Sequence, residues 1–172
     1  DTASYGVITY TNTLVDSNSA ILESIMPGNV DTLVNHTTLD KLTFKLASTY
    51  LGISSRNIVN KRLDSSGISN WLSRFVKPSQ SAADWEIISK LGCDYVAEEI
   101  EQIIYGNNIS ILDDYLTQSR RGRKRRLRAN ERQAVWNSYT AFSEICASKG
   151  VTTFGMLRVA ALKQLDKDPM WP

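Results

Sequence analysis

Short apolar runs alternate with helix-periodic stretches over the first fifty residues of the chain. Tyr5–Tyr10 is β-branched and aromatic, which predicts a buried strand, and a second strand is predicted at Val30–His36. Each run is followed by a stretch with a helical period, the first ended by Pro27 and Gly28 and the second by Gly52. The order strand, helix, strand, helix predicts a parallel α/β unit.

The pattern becomes helical after Gly52. Residues 58–69 are polar and rich in turn-forming types, so we expect a connection there. From Trp71 onward the apolar residues recur at three- and four-residue steps, which predicts helices and no strands. A long helix is expected from about Ala129, stopped by Gly150. The predicted fold class is therefore mainly α, with a small parallel α/β N-terminal portion followed by a helical subdomain.

A basic cluster stands between two of the predicted helices. Seven cations occur in residues 120–128 with no acid among them: Arg120, Arg121, Arg123, Lys124, Arg125, Arg126 and Arg128. Such close like charges repel one another and gain nothing from a core, so a solvated loop and a nuclear-localisation signal are two interpretations. The third is a phosphate-contacting turn, in which guanidinium groups bind backbone oxygens. A position between two packed helices would hold the cations on one edge, which favours phosphate binding.

The helix after the basic cluster has one apolar face. Val135, Trp136, Tyr139 and Phe142 recur at three- and four-residue steps, as residues on one side of a helix do. We interpret the three aromatic residues as core and not as a binding site.

Composition indicates an ordinary globular chain with a local basic patch. Hydrophobic residues make up 42% of the 172 residues and the net charge is only +2, so the chain as a whole is not a polycation. No run is long and apolar enough to span a membrane, and no signal-peptide pattern occurs. Cys93 and Cys146 are interpreted as buried free thiols in a reducing compartment, with a disulfide between them as the alternative.

The sequence lacks a complete catalytic set. His36 is the one histidine, and Cys-x-x-Cys, G-x-x-x-x-G-K-[ST] and G-x-G-x-x-G are all missing. We interpret His36 as a structural residue with its hydrogen bonds made. The acidic pairs Glu98-Glu99 and Asp113-Asp114 are interpreted as solvated surface, because neighbours on a helix point in different directions.

Tyr10 lies at the carboxyl end of the first predicted strand, which is where open α/β sheets bind ligands. There Tyr10 could stack on a base, and Asn12 could hold a phosphate or a base edge. The alternative is a core tyrosine followed by a helix cap, and the residues by themselves favour that alternative.

In their order and spacing, these pieces resemble superfamily 1 DNA helicases of the UvrD/Rep type. The helical part resembles the subdomain inserted in the first motor domain of that family, with an acidic helix, a "YL" turn, "R-x-G-R" and "R-x-x-V-W-x-x-Y". The corresponding residues are Glu98-Glu99, Tyr115-Leu116, Arg121-Gly122-Arg123 and Arg132 with Val135, Trp136 and Tyr139. Thr153-Phe154 and Leu157 resemble its returning helix, with Thr153 in place of the usual acid.

Two shorter motifs at the front of the chain resemble DNA-gripping motifs of the same helicases. Ile8–Leu14 resembles the motif usually written "T-[FY]-[TN]-N". Thr37–Asp40 resembles the next motif, usually "T-F-H", with Leu39 and Asp40 in place of the aromatic residue and the histidine. The resemblance implies that Tyr10 stacks on a base and that Asn12 and Thr38 contact the DNA backbone. It also implies phosphate contacts from Arg121, Arg123, Lys124, Arg125 and Arg126.

The resemblance implies three regions: residues 1–56 as part of a RecA-like motor domain, 57–150 as the helical subdomain, and 151–172 as a helix returning to the motor. The family's ATP-binding loop would precede Asp1 and its D-E-x-x-Q motif would follow Pro172, so the chain is expected to be a piece of a cytoplasmic, nucleoid-associated helicase. ATP and Mg²⁺ are implied for the parent protein, and neither a cofactor nor ATP hydrolysis is expected for this piece.

The expected partners are single-stranded DNA, single-strand/duplex junctions and the remaining helicase domains, with no membrane. Two alternatives stay open. One is a stand-alone helical nucleic-acid-binding module, and the other is a protein-interaction domain whose basic turn meets an acidic partner.

Overall fold

The structure is a computed structural model that describes residues 5–28, 34–52, 62–120 and 125–168. Within these ranges the protein is mainly helical, with eight α-helices and two small parallel sheets of two strands each. The chain divides into two compact units, Asp1–Ser55 with Ala160–Pro172 and Arg56–Val159. The predicted predominance of helix is thereby confirmed.

The first unit begins with alternating strands and helices. Its elements are β1 (Tyr5–Thr9), α1 (Asn12–Ile25), β2 (Val34–Thr38) and α2 (Leu39–Leu51). β1 and β2 pair in parallel, with Thr9 opposite Thr38. This confirms the predicted order and the parallel pairing, although residues 30–33 of the predicted second strand lie outside the described ranges.

Local side chains fix where these two helices begin and end. The Thr11 hydroxyl accepts a hydrogen bond from the Leu14 backbone N–H at 3.3 Å and so caps α1. Thr38 caps α2 in the same way, accepting from the Lys41 N–H at 3.2 Å. Gly52 ends α2 with a φ of 65°, a left-handed conformation that glycine adopts at little cost.

The second unit contains most of the helices. Its elements are β3 (Arg62–Leu63), α3 (Ser65–Trp71), α4 (Ala82–Leu91), α5 (Cys93–Glu99), α6 (Leu112–Thr117), α7 (Ala129–Lys149), β4 (Thr152–Thr153) and the start of α8 (Phe154–Lys167). α3 continues as the π-helical turn Leu72–Val76, and α5 continues as the π-helical turn Ile100–Tyr105. The part of α8 from Ala160 onward belongs to the first unit.

Two predictions about this unit are wrong. Residues 58–69 were expected to be a connection, but α3 begins at Ser65, capped by the Asp64 carboxylate accepting from the Gly67 N–H at 2.7 Å. Strands were not expected after Trp71, but β4 pairs in parallel with β3. A two-residue strand carries no periodicity, and the polar composition of α3 resembles that of a turn, so neither element leaves a clear pattern in the sequence.

The hydrophobic core of the second unit is organised around α7. This helix packs against α4, α6 and the turn Leu72–Val76. Phe142 is fully buried, and Trp136 and Tyr139 are half-buried against the same core. The prediction that these aromatic residues are core is confirmed.

The two cysteines are free thiols, so the disulfide alternative is wrong. Burial raises the pKa of Cys146 to about 12, which keeps this thiol protonated at neutral pH. Cys93 is half-buried. Over the ranges described, no helix combines the length and apolarity needed to cross a membrane.

Candidate nucleic-acid interface

The basic cluster lies in the sequence between α6 and α7, and we call residues 118–128 the basic loop. Arg121, Arg123 and Lys124 lie outside the described residues. Arg125 and Arg126 are exposed near the start of α7. The described parts of the loop on either side of residues 121–124 are fixed to the second unit by buried side chains.

A buried carboxylate is the centre of this attachment. Glu99, at the end of α5, is fully buried and accepts hydrogen bonds from Arg120 Nε at 2.5 Å and Arg120 Nη2 at 2.6 Å. The Tyr115 hydroxyl donates to the same carboxylate at 3.1 Å. Because the Arg120 side chain is only 5% exposed, this is a buried, two-pronged ion pair and not a surface contact.

Arg120 also joins the two ends of the basic loop. Its Nη1 donates to the backbone oxygen of Arg125 at 2.7 Å, and its Nη2 donates to the Tyr95 hydroxyl. Burial opposes the charge of Arg120, but the hydrogen bonds to Glu99 and Tyr95 outweigh it and raise its pKa above the usual value. Arg120 is therefore charged at neutral pH.

Burial raises the pKa of Tyr115 far above its usual value, and the neighbouring Glu99 carboxylate raises it further. The Tyr115 hydroxyl therefore stays protonated and remains a donor to Glu99. The network of Glu99, Arg120 and Tyr115 carries one negative and one positive charge, so it is neutral overall.

A second arginine holds the first end of the loop. Arg132, in the first turn of α7, donates through Nη1 to the backbone oxygens of Tyr115 at 2.5 Å and Gln118 at 3.1 Å. Its guanidinium lies 5.6 Å from the centre of the Tyr115 ring, a cation–π distance. Arg132 thus satisfies carbonyls at the C-terminal end of α6 while it supports the loop.

Glu131 fixes the second end of the loop. Its carboxylate accepts from the backbone N–H of Arg128 at 2.8 Å and from Arg125 Nη2 at 2.9 Å. The Arg128 N–H, and then the Arg125 guanidinium, hold the pKa of Glu131 below its usual value. Arg125 is thus partly neutralised, whereas Arg126 is exposed and forms no ion pair among the described residues.

Replacing Glu131 with glutamine is expected to lower the free energy of unfolding at neutral pH by about 0.5–1 kcal/mol, because the cap of α7 loses its charge. A carboxylate whose folded-state pKa is lowered stabilises the protein above its unfolded-state pKa and loses that effect as the pH falls through the folded-state pKa. Urea unfolding of both proteins should therefore converge at strongly acid pH. A difference that is constant across this range would contradict the assignment.

Two interpretations of the sequence are corrected by this network. Arg120 was counted in the basic cluster, although not among the five named phosphate contacts, and it proves to be buried on Glu99. The pair Glu98-Glu99 was interpreted as solvated surface, but only Glu98 is exposed. The usable signal was the position of Glu99 three residues after Val96 and directly before Ile100, on the apolar stripe of α5.

The other predicted contact residues lie at the carboxyl edge of the β1–β2 sheet in the first unit. Tyr10 follows β1 and is 80% exposed, so the alternative of a core tyrosine is wrong. Asn12 is the exposed first residue of α1, and its neighbour Thr11 provides the helix cap. Thr38 is 6% exposed and caps α2, so a contact to DNA would require it to leave that position.

His36 and the acidic residues do not assemble into a metal centre in the part of the chain that is described, where no group of three or more His, Cys, Asp or Glu side chains could hold a metal ion. His36 lies on β2, and neither of its ring nitrogens has a hydrogen-bond partner among the described residues. The satisfied structural role predicted for His36 is therefore not found within those residues.

Comparisons with protein-family models, with curated proteins and with solved structures found no match for this chain. The helicase resemblance of its motifs stays a prediction.

Proposed function

We propose that this chain binds nucleic acid through the basic loop, as part of an ATP-dependent DNA helicase of the UvrD/Rep type. The observation that carries the proposal is the attachment of the loop at both ends. Arg120 on Glu99 and Arg132 on Gln118 hold the first end. Glu131 holds the second end by accepting from the Arg128 N–H. A loop that only kept charges in solvent would need no such attachment. Holding the described ends of the loop, with Arg125 and Arg126, lowers the ordering entropy lost on binding and so favours phosphate contacts.

The proposed contacts do not depend on the base sequence of the DNA. Arg121, Arg123, Lys124, Arg125 and Arg126 would hold backbone phosphates, which position a protein on DNA without distinguishing its bases. Tyr10 would stack on a base of single-stranded DNA, and Asn12 would contact the strand beside it. The exposure of Tyr10 at the end of a parallel strand supports this assignment.

The proposal does not assign ATP hydrolysis to this chain. In the proposal, the chain supplies part of a single-strand track and contacts to the adjoining duplex, in a RecA-like motor of a cytoplasmic, nucleoid-associated protein. ATP and Mg²⁺ would be bound by the ATP-binding loop and the D-E-x-x-Q motif, which these 172 residues do not contain. The chain by itself is then expected to bind DNA and to lack ATPase activity.

The test is a titration of labelled single-stranded and forked DNA at several salt concentrations. Replacing Arg123, Lys124 and Arg126 with alanine is expected to weaken binding and to reduce the slope of log affinity against log salt by roughly 0.7–0.9 for each lost phosphate contact. Arg125 is retained because its bond to Glu131 supports α7.

A matched control removes three exposed cations from elsewhere: Lys41, Lys163 and Lys167. This triple variant has the same net charge as the loop variant. An equal loss of affinity and slope in both would assign binding to general charge and refute the loop. The loop variant could instead bind DNA as the parent does but no longer bind a purified acidic protein that the parent binds. That result would favour the protein-interaction alternative.

Replacing Tyr10 with alanine is expected to weaken single-stranded DNA binding by about 1–3 kcal/mol, the usual value of one base stacked on an aromatic ring. The salt slope should not change, because no phosphate contact is lost. Tyr10→Phe is the control, since it keeps the ring and should bind as the parent does. A loss of equal size in both variants would exclude stacking.

A further inference from the structure

A polar groove opens on the second unit, away from the residues assigned to phosphate binding. It lies between the segment that precedes α4 and one face of α7, and its volume is about 530 Å³. Its lining includes Gln80, Asp84, Gln133, Trp136, Asn137 and Glu144. This volume falls within the range of small-molecule sites in proteins, roughly 300–1,000 Å³.

The side-chain amides of the groove already donate to protein oxygens. Gln133 Nε2 donates to Asn137 Oδ1 at 3.0 Å, and Asn137 Nδ2 donates to Asp84 Oδ2 at 3.0 Å. Gln80 Nε2 points at the backbone oxygen of Asn137 at 3.5 Å. These bonds tie the amide groups and Asp84 to one another, so the groove is polar and its walls are held together by hydrogen bonds.

The charged side chains of the groove favour a positively charged ligand. Among the lining residues that the structure describes, the ionisable ones are Asp84 and Glu144, and both are acidic. Trp136 is half-buried in the wall, and an indole ring attracts a cation through its π-electrons. Two carboxylates, no cation among the described lining residues and an indole together fit a ligand that carries positive charge and N–H donors.

We propose that this groove binds an organic cation, an ammonium or guanidinium group that donates to Asp84 and Glu144 beside Trp136. Phosphate is disfavoured there, because an anion would meet two carboxylates. The groove is therefore a second site, opposite in charge preference to the basic loop, although α7 contributes to both. The proposal does not depend on DNA binding, and a chain that ignored DNA could still bind a cation here.

Calorimetric titration of the whole chain at low salt tests the site with three probes: spermidine, agmatine and a blocked tripeptide with a central arginine. Glu144→Gln and Asp84→Asn are each expected to weaken binding by about threefold to tenfold, since each removes a charge-assisted hydrogen bond. A tripeptide with citrulline in place of arginine keeps the shape without the charge and should not bind. Tighter binding of spermidine would indicate a free polyamine, and tighter binding of the arginine peptide would indicate a peptide side chain.

Asp94→Asn is the matched control, because Asp94 is an exposed acid of the same unit outside the groove lining. Since Asp84 also lies in the first turn of α4, its variant is checked by thermal unfolding, and Glu144→Gln tests the site without that complication. The proposal is overturned if no probe binds at millimolar concentration, if citrulline binds as arginine does, or if Asp94→Asn weakens binding as much as Glu144→Gln.

Discussion

Replacing Arg120 with methionine is expected to lower the free energy of unfolding by about 3–5 kcal/mol, the usual cost of removing one partner of a buried ion pair. Glu99 is fully buried, and Arg120 supplies two of the hydrogen bonds to its carboxylate. Methionine fills a similar volume but removes both of these hydrogen bonds and the positive charge from the buried carboxylate. Urea unfolding, followed by circular dichroism, measures the loss.

A double-mutant cycle separates the ion pair from general disruption. Glu99→Gln removes the negative charge and keeps an oxygen that can accept from Tyr115. The double variant with Arg120→Met keeps neither charge of this pair, so its loss should be smaller than the sum of the single losses by about 1–3 kcal/mol. Arg126→Met is the control for an exposed cation and should change stability by less than about 0.5 kcal/mol. Additive losses would mean that the pair is not coupled.

The ends of helices could be predicted from the sequence because the interactions that fix them are local. Thr11 and Thr38 cap helices through backbone groups three residues away, and Gly52 and Gly150 adopt the left-handed conformation that ends α2 and α7. Such contacts depend on a few neighbouring residues. The parallel α/β order of the first unit followed from the same local patterns.

The role of Arg120 could not be predicted in that way. Arg120 and its neighbour Arg121 are the same residue type, so the local sequence does not distinguish them. What distinguishes Arg120 is its ion pair with Glu99, which lies 21 residues earlier in the chain. A basic cluster therefore indicates a charged surface, but it does not indicate which of its cations is buried in the folded protein. The packing of α5 against neighbouring elements of the second unit decides which cation is buried. The local sequence pattern does not predict that packing.

Phe142 and Ile21 both lie on helix-periodic apolar stripes in the sequence, and they differ in burial in the structure. Phe142 is fully buried in α7, whereas Ile21 on α1 is 57% exposed. Phe142→Ala is expected to lower the free energy of unfolding by about 3–5 kcal/mol, through lost transfer energy and the cavity left behind. Ile21→Ala should stay within about 0.5 kcal/mol, because little burial is lost and alanine is the better helix former.

Chemical denaturation of both variants, with Phe142→Leu as the volume-conserving control, measures this difference. Leucine keeps most of the buried apolar surface and should cost less than about 1.5 kcal/mol, so the three variants should rank as Ile21→Ala, Phe142→Leu and Phe142→Ala in increasing loss. A loss for Ile21→Ala as large as that for Phe142→Ala would mean that the α1 stripe is covered in solution. The cluster of 18 buried hydrophobic residues from Ile68 to Cys146 would then not be the main source of stability among the described residues.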